Sequence, residues 1–269
     1  MGIRQIRGHG EITAVLERRL AADPVRNTVV GSALRSLAPD AWCAAGTGPS
    51  DGAVAVRSDR MYPALLTDGW HSDDLAELSR LVATLPDLNG ASGAIEAVAA
   101  VSRAGGRRVA QRTDQRLFRI DRLVAPQGVP GRAVVAGAAE RDLLLRFGEA
   151  FATEIGGSVT VTESWVDRAM RGEDRAWLWD DEGKFVSVAG RRPVAGGSAR
   201  IGPVYTPPGC RGRGYAAAVT AAATRDILAE GAVPVLFTDL ANPTSNGVYQ
   251  RLGYYPVADY ASVTFGTAA

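Results

Sequence analysis

The sequence predicts an α+β protein of two domains, and three observations support that fold class. Proline and glycine concentrate at residues 125–131, between two segments that have regular hydrophobic patterns. In the second segment, helical periodicity is followed by strands joined by hairpins. A glycine-rich turn then leads into alternating helices and strands. We therefore expect domains at residues 1–125 and 132–269, the second with a mixed sheet flanked by helices.

Composition argues against several classes of function. The 30 basic and 29 acidic side chains give a net charge of +1, so neither nucleic acid nor an anionic membrane is an expected partner. Two cysteines are too few for a disulfide framework or a structural zinc site, and we expect no metal. Both histidines, His9 and His71, precede the second segment, so chemistry there must proceed without imidazole. Without a secretory signal or a membrane-spanning apolar window, we expect a soluble cytoplasmic protein.

Three elements are predicted in the first segment. Residues 11–20 form a helix, residues 52–57 form a strand, and Ser72 begins a helix with its apolar side chains on one stripe. Seven arginines lie between Arg103 and Arg122, but acidic residues interrupt them. We interpret these arginines as a solvated surface rather than as a phosphate-binding face.

Two helices open the second segment. Apolar side chains recur every fourth residue from Leu143 to Ile155 and predict the first helix. Residues 160–163 have the Thr-x-x-Glu pattern of a capping box, which predicts that a second helix begins there and continues to Met170.

Three strands follow these helices. An acidic turn at residues 180–183 separates strands at 175–179 and 184–189, which is typical of a hairpin. A further strand covers residues 199–206. Because Pro203 lies inside this strand and lacks a backbone donor, the strand is not expected to pair regularly on both sides throughout.

The last predicted elements follow a glycine-rich turn at residues 211–214. Gly231 occupies the usual C-cap position of the next helix. Asn242 and Pro243 supply the N-cap and the first position of the helix after that. In chain order, these elements are a helix at 215–230, a strand at 233–238, a helix that stops at Gly253 and a strand at about 261–265.

The turn at residues 211–214 has the composition of an anion site. Gly212 and Gly214 let the backbone approach a ligand closely, and the next helix presents N–H groups and the positive end of its dipole. These residues also satisfy a dinucleotide fingerprint, with Asp239 at a later strand end, as in a nicotinamide-dependent oxidoreductase. However, hairpin-linked strands before the turn do not fit the parallel sheet of that class.

Two motifs taken together resemble the Gcn5-related N-acetyltransferase (GNAT) superfamily. The strand that ends in Val-Tyr-Thr at 204–206 is followed by Arg-Gly-Arg-Gly-Tyr-Ala at 211–216. The pattern Asn-xx-Ser-xxx-Tyr-xxx-Gly-Tyr follows at 242–254. The resemblance covers residues 132–265 and implies a mixed, mostly antiparallel sheet flanked by helices. The N-terminal α/β domain is interpreted as an accessory domain or as a degenerate GNAT-like copy that lacks a second coenzyme site.

The resemblance implies an N-acetyltransferase that moves an acyl group, acetyl in the first instance, from acetyl-CoA directly to an amine. The acceptor is then a small molecule or a peptide, and neither its identity nor the oligomeric state is indicated by a motif. A non-catalytic sensor that binds acyl-CoA without transferring its acyl group is the alternative from a different class.

Coenzyme-binding roles fall on three parts of the second domain by resemblance. Val204, Tyr205 and Thr206 line the pantetheine arm, and the turn at 211–214 cradles the pyrophosphate. Gly209 stands where the family pattern has Gln or Arg, so one side-chain contact is missing here. The expected contacts of the turn come from Arg211, Gly212, Arg213, Gly214, Tyr215 and Ala216, and Asn242 is expected to contact pantetheine while it caps its helix.

Tyr249 is the candidate general acid. It follows Asn242 by seven residues, about two helical turns, so both lie near one helix face. A phenol there can protonate a departing thiolate, which is the role of the equivalent tyrosine in many GNAT enzymes. Cys210 has no histidine partner in this domain and is interpreted as a loop residue. The base that deprotonates the amine stays open between a water chain and three carboxylates, Glu163, Glu154 and Asp239.

Overall fold

The computed structural model describes residues 2–6, 8–59, 63–156 and 159–266, without the side chains of 159–161. Contacts between residues divide the chain into two compact units. The predicted domain limits, 1–125 and 132–269, stay a prediction, since the contact-defined units interleave along the chain. Unit 1 consists of Met1–Leu117, Thr238–Ala241 and Val257–Ala269, and unit 2 consists of Phe118–Phe237 and Asn242–Pro256.

The first half of the chain contains more regular structure than its sequence patterns predict. The helices predicted at residues 11–20 and from Ser72 form, and the predicted strand at 52–57 is shorter. The other elements were not predicted. In order, they are β1 (Gly2–Ile6), α1 (His9–Ala22), α2 (Thr28–Arg35), β2 (Trp42–Thr47), β3 (Val54–Arg57), β4 (Ala64–Leu66), α3 (Ser72–Leu81), β5 (Asp87–Ala91), α4 (Ser92–Ala104) and β6 (Val109–Arg119).

The second half follows the predicted order of elements, except that a strand at Arg132–Val135, which was not predicted, precedes the first helix. Its second helix begins at Val159 rather than at a Thr160 cap, and the side chain of Thr160 lies outside the described residues. Its last strand begins at Tyr255, earlier than predicted. In order, the elements are β7 (Arg132–Val135), α5 (Arg141–Ile155), α6 (Val159–Met170), β8 (Arg175–Asp181), β9 (Lys184–Arg191), β10 (Ser198–Tyr205), α7 (Tyr215–Ala229), β11 (Val233–Asp239), α8 (Pro243–Arg251) and β12 (Tyr255–Phe265).

The two halves repeat one order of elements. Each begins with a strand, two helices and three strands, and each continues with a helix, a strand, a helix and a strand. The pairing also repeats, because the first four strands of each half form an antiparallel set and the fourth then pairs in parallel with the fifth. An internal duplication of the architecture is therefore present, as expected for a degenerate N-terminal copy.

Strands in unit 1 lie in the order β1-β2-β3-β4-β5-β12-β6. Only the β4–β5 pair is parallel among the pairings described there, and α3 provides the crossover that a parallel pair needs. The last strand of the chain pairs antiparallel with β5, from Tyr260 opposite Ala91 to Thr264 opposite Asp87. The C-terminal strand therefore completes the sheet of unit 1.

Strands in unit 2 lie in the order β11-β10-β9-β8-β7. Helix α7 connects β10 to its parallel neighbour β11, and the remaining described pairs are antiparallel. This mixed, mostly antiparallel sheet is the predicted fold class, and it is not the parallel doubly wound sheet that a dinucleotide fingerprint requires.

The core of unit 2 forms where α7 packs on β10. Val219, Ala223 and Ile227 of α7 are spaced along one helix face and are buried against Ala199 and Ile201 of the strand. Alanines on further faces of α7 are buried as well, so the helix is enclosed more completely than a single stripe predicts. Small side chains allow this close approach of the helix to the sheet. No helix among the described residues is long and apolar enough to cross a membrane.

Candidate functional site

Strand β10 leaves its regular pairing half-way along, as Pro203 predicts. Its parallel pairing with β11 runs from Ser198 to Ile201. On the other side, its register with β9 shifts between Ile201 and Val204. The backbone edge beyond Ile201 that faces β11 is thus outside this ladder. The predicted pantetheine-binding residues 204–206 lie at this splayed end.

The splayed end of β10 is nevertheless held firmly. The hydroxyl of Ser187 on β9 donates to the Tyr205 carbonyl at 3.0 Å and lies 2.8 Å from the Thr206 hydroxyl. The buried Tyr205 ring meets Phe147 edge-on with centroids 5.8 Å apart, and burial raises the pKa of its phenol. Val204 packs against the core cluster that contains Tyr249. Two predicted site elements, β10 and α8, therefore share one apolar cluster.

The glycine-rich turn adopts the conformation that its sequence requires. Gly212 and Gly214 have φ angles of 78° and 83°, in the left-handed region that favours glycine. A Cβ at Gly214 would lie 3.0 Å from Val129, whereas a Cβ at Gly212 would meet nothing within 4 Å. The turn is therefore closed against Val129 at Gly214 and open at Gly212.

Helix α7 begins directly after this turn, and its first backbone N–H groups have no partner within the helix. Its first helical bond runs from the Ala218 N–H to the Gly214 carbonyl at 3.0 Å. The N–H groups of Tyr215 and Ala216 precede that bond and have no partner within the helix. The first turn of α7 contains no acidic side chain. Together these features make an anion-binding arrangement of the type that phosphates occupy.

Asp181 fixes the start of α7, a role that the sequence did not reveal. Tyr215 is buried and its hydroxyl donates to the Asp181 carboxylate, which raises the pKa of the phenol. The sequence suggested only a hairpin turn at residues 180–183. Instead β8 extends to Asp181, which pairs with Lys184 in the hairpin while its side chain reaches α7.

Arg211 connects the turn to two other elements. Its Nη2 donates to both carboxylate oxygens of Glu154 on α5, at 2.6 and 2.8 Å. Its Nε donates to the Thr206 carbonyl at 2.9 Å, and its guanidinium carbon lies 5.9 Å from the Tyr205 ring centroid. Arg213 is exposed. The structure therefore brings Arg211 together with the end of β10.

Helix α8 begins as predicted. Asn242 Oδ1 accepts a hydrogen bond from the Ser245 N–H at 3.0 Å, and Pro243 occupies the first helical position. Tyr249 is buried within the same helix, and this burial raises its pKa to about 12. Its ring contacts Tyr254 edge-on, with centroids 6.1 Å apart.

The two adjacent tyrosines differ in their hydrogen bonding. The Tyr254 hydroxyl lies 2.7 Å from the Thr224 hydroxyl and is thus partnered in the core. Within the described part of the chain, no hydrogen bond engages the Tyr249 hydroxyl. Because the Tyr249 hydroxyl is not committed to a partner of this kind, Tyr249 is the better placed of the two to serve a ligand.

The candidate bases occupy different surroundings. Glu154 is paired with Arg211, and Asp239 Oδ1 accepts the Ala241 N–H at 2.8 Å. Glu163 is exposed on α6. Cys210 is a half-buried free thiol. Among the residues described, no group of three or more His, Cys, Asp or Glu side chains is arranged to hold a metal ion.

Several solved structures share this architecture. A Drosophila protein of unstated function superposes with a TM-score of 0.70 at 14% identity, covering 99% of each chain. A GNAT-family acetyltransferase from Colwellia psychrerythraea superposes with a TM-score of 0.65 at 13% identity, covering 98% of this chain and 99% of its own. The chain has the GNAT fold. A GCN5-related N-acetyltransferase from Kribbella flavida supports this with a TM-score of 0.60 at 19% identity, over 88% of this chain and 94% of its own.

Sequence comparison adds a more local match. Residues 187–261 match the FR47-like protein family model, which is less than half of the chain. This GNAT-like segment contains the end of β10, the glycine-rich turn, α7 and α8. No curated protein matches the sequence. The GNAT resemblance of the C-terminal segment is thereby confirmed, and structural neighbours that span nearly the whole chain support a GNAT-like N-terminal half.

Proposed function

We propose that this protein is a GNAT-type N-acetyltransferase that transfers an acyl group, acetyl in the first instance, from acyl-CoA directly to an amine. The acceptor is a small molecule or a peptide. One observation carries the proposal: Arg211 joins a glycine-rich turn at a helix start to the splayed end of β10. A diphosphate site and an open strand edge are thus continuous within unit 2.

The donors of the turn fit the diphosphate of coenzyme A. Gly212 is open on the side where a Cβ would stand, and the N–H groups at the start of α7 point out of the helix end. The helix dipole and the Arg211 guanidinium supply positive charge there. Main-chain donors dominate this set, so Gly209 in place of a longer polar residue removes one contact and leaves the others.

The splayed edge of β10 suits the pantetheine arm. Apart from the Thr206 carbonyl, which accepts from Arg211, backbone groups of residues 204–206 that face away from β9 can pair with its amides, and one N–H there can polarise a carbonyl. When bound, acyl-CoA supplies the activated thioester. Ser187 keeps Tyr205 and Thr206 in place, so this edge is preorganised.

Tyr249 holds its proton throughout the neutral range, because burial raises its pKa to about 12. An ordinary thiol has a pKa of about 8.5, so complete transfer of this proton to a free thiolate is uphill. We therefore assign Tyr249 first as a hydrogen-bond donor that stabilises negative charge on the leaving sulfur and delivers its proton as that charge develops.

The base that deprotonates the amine is not assigned to a single residue. Because both oxygens of Glu154 accept from Arg211, that carboxylate is the least available of the three candidates. Asp239 is engaged by a turn N–H, and Glu163 is exposed on α6. A water chain or Glu163 is the simplest base consistent with these contacts.

Calorimetric titration with acetyl-CoA tests the donor site, with NADH and NADPH as parallel controls. We expect saturable binding of the acyl-coenzyme alone. A panel of small amines, aminoglycosides and peptides, assayed by release of free thiol, then tests transfer. Binding without transfer to any amine would favour an acyl-CoA sensor, and binding of a nicotinamide cofactor alone would refute the proposal.

A further inference from the structure

Glu154 places a negative charge beside the turn that we assign to a diphosphate. Its carboxylate accepts two hydrogen bonds from one guanidinium nitrogen of Arg211. The two residues are 57 positions apart in sequence, so the fold of unit 2 creates this contact. A carboxylate at this position repels a phosphate while it occupies the donor that a phosphate would use.

The ion pair between Arg211 and Glu154 also costs little to break. The side chains of Arg211 and Glu154 are 48% and 42% exposed, and exposed ion pairs contribute little to stability. Arg211 keeps a second attachment through its Nε bond to the Thr206 carbonyl. Arg211 can therefore lose the carboxylate and still remain beside the turn and the end of β10.

We propose that Glu154 is an internal competitor for Arg211, displaced when the diphosphate of acyl-CoA binds. This inference rests on the proposed function. The carboxylate lowers coenzyme affinity and favours release of the product coenzyme A, since it recaptures the guanidinium as the diphosphate leaves. Glu154 is thus a positioning residue of the coenzyme site, and its pairing argues against a role as the catalytic base.

Binding of coenzyme A, measured by calorimetry at fixed ionic strength, tests this proposal without an activity assay. Glu154→Gln removes the competing charge, and we expect coenzyme A to bind about two- to fivefold more tightly, the range that an exposed ion pair allows. Glu149→Gln removes an exposed charge from the same helix and is the matched control, for which we expect no change.

Arg211→Gln supplies the second half of a double-mutant cycle. We expect it to weaken coenzyme A binding about tenfold, the scale of a lost charge-assisted hydrogen bond. Glu154→Gln should then give a clearly smaller gain in the Arg211→Gln background, because only the direct repulsion between carboxylate and phosphate is left to remove. Inorganic pyrophosphate, titrated as a second probe, should rank the variants in the same order.

Each outcome decides a separate point. Weaker or unchanged binding by Glu154→Gln would overturn the competitor role, and so would an equal gain in the Arg211→Gln background, which would indicate a general charge effect. If the unaltered protein binds acetyl-CoA, these results concern Glu154 alone. If it binds neither acetyl-CoA nor coenzyme A, the proposed function itself fails. Thermal unfolding confirms that each variant is folded.

Discussion

The starts of helices α3 and α7 occupy equivalent positions in the two halves but have opposite chemistry. Each follows the fourth strand of its half and leads to the parallel fifth strand. Helix α7 begins after two glycines of positive φ and carries no acidic residue in its first turn. Helix α3 follows His71 and carries Asp73 and Asp74 in its first turn.

The first turn of α3 carries its own carboxylates at the place where α7 is proposed to bind an anion. Asp74 is buried and accepts from the Ser50 hydroxyl at 2.6 Å, while Ser50 in turn accepts the His71 N–H at 2.8 Å. Asp73 adds a second negative charge to the positive end of the helix dipole. An incoming phosphate would be repelled at this end. One architecture thus presents the proposed anion site in one half and a helix start that carries its own carboxylates in the other.

The helices after the fifth strands differ in the same way. Helix α8 is capped by the Asn242 side chain, and Tyr249 lies seven residues later. Helix α4 follows Ala91, which offers no side-chain cap, and the residue seven positions later is the fully buried Val98. The fold buries the side chain at this point in either half. Only unit 2 places a phenol there, so function depends on residues grafted onto the repeated fold.

The largest expected effect is on Tyr249. If the phenol is the acid, Tyr249→Phe lowers kcat about 10²- to 10⁴-fold, the usual contribution of such a group, with little change in the Kd for acetyl-CoA. Stopped-flow or steady-state release of thiol measures kcat, and calorimetry measures Kd.

Tyr254→Phe is the matched control, since it removes a neighbouring buried hydroxyl that bonds to Thr224. We expect it to lower the free energy of unfolding by about 1 kcal/mol and to leave kcat within a fewfold range. An equal kcat in Tyr249→Phe and in the unaltered protein would show that Tyr249 does not act as the acid. The two units would then not differ in catalytic chemistry at this position.

The next largest effect is expected at the turn before α7. Gly214→Ala forces a side chain into a positive φ and against Val129. Because the turn must shift to accept it, we expect acetyl-CoA to bind at least about tenfold more weakly, the equivalent of about one lost hydrogen bond.

Gly69→Ala tests the same backbone problem in the equivalent segment of unit 1. Gly69 has a φ of 91° before α3, and a Cβ there would only touch Ala53. We expect a loss of about 1–2 kcal/mol in the free energy of unfolding from the positive φ, without a change in Kd. If both alanine variants weakened coenzyme binding equally, the distinction between the two helix starts would be wrong.

The features that were predicted correctly from the sequence are those whose conformation depends on residues close to them in the chain. Glycine at 212 and 214, the Asn242 cap and Pro203 each act on the backbone within a few residues, so the turn, α8 and the break in β10 were predictable. The contacts of Arg211 and Tyr215 with distant carboxylates were not, because side chains 57 and 34 residues away leave no periodic trace.

The elements missed in the first half lacked a clear pattern. Strand β4 is only three residues long. Strand β6 lacks an apolar alternation over most of its length, and its arginines suggested a solvated surface. Several of these surface arginines form ion pairs, for example Arg116 with Asp259 at 2.6 Å, and Arg107, just before the strand, stacks on Phe265 at 3.8 Å. Partners from distant strands make such a strand stable.

The pH dependence of kcat and of stability distinguishes Tyr249 from other titrating groups. The pKa of Tyr249 is raised by burial from about 10 to about 12, so the neutral phenol is favoured by folding. Its contribution to stability is complete below pH 10 and is lost as pH rises from about 10 to about 12. We expect kcat to show no loss from this group below pH 10. We also expect Tyr249→Phe to lose less stability than the unaltered protein above that pH, measured by urea unfolding. A fall in kcat with an apparent pKa of 8 or 9 would assign the loss to another group.

The smallest expected effect is at the start of α3. Asp73→Asn removes one exposed negative charge from the helix terminus, and we expect the free energy of unfolding to fall by about 0.3–1 kcal/mol. Glu77→Gln, which lies later in the same helix, should change it less, because the dipole interaction is confined to the first turn. Coenzyme A titration of Asp73→Asn should still give one site per chain. Asp74 stays bonded to Ser50 in this variant, and α3 is not directly preceded by a pair of glycines of positive φ like the pair before α7. A second site in Asp73→Asn would mean that charge alone, rather than the turn, separates the two halves.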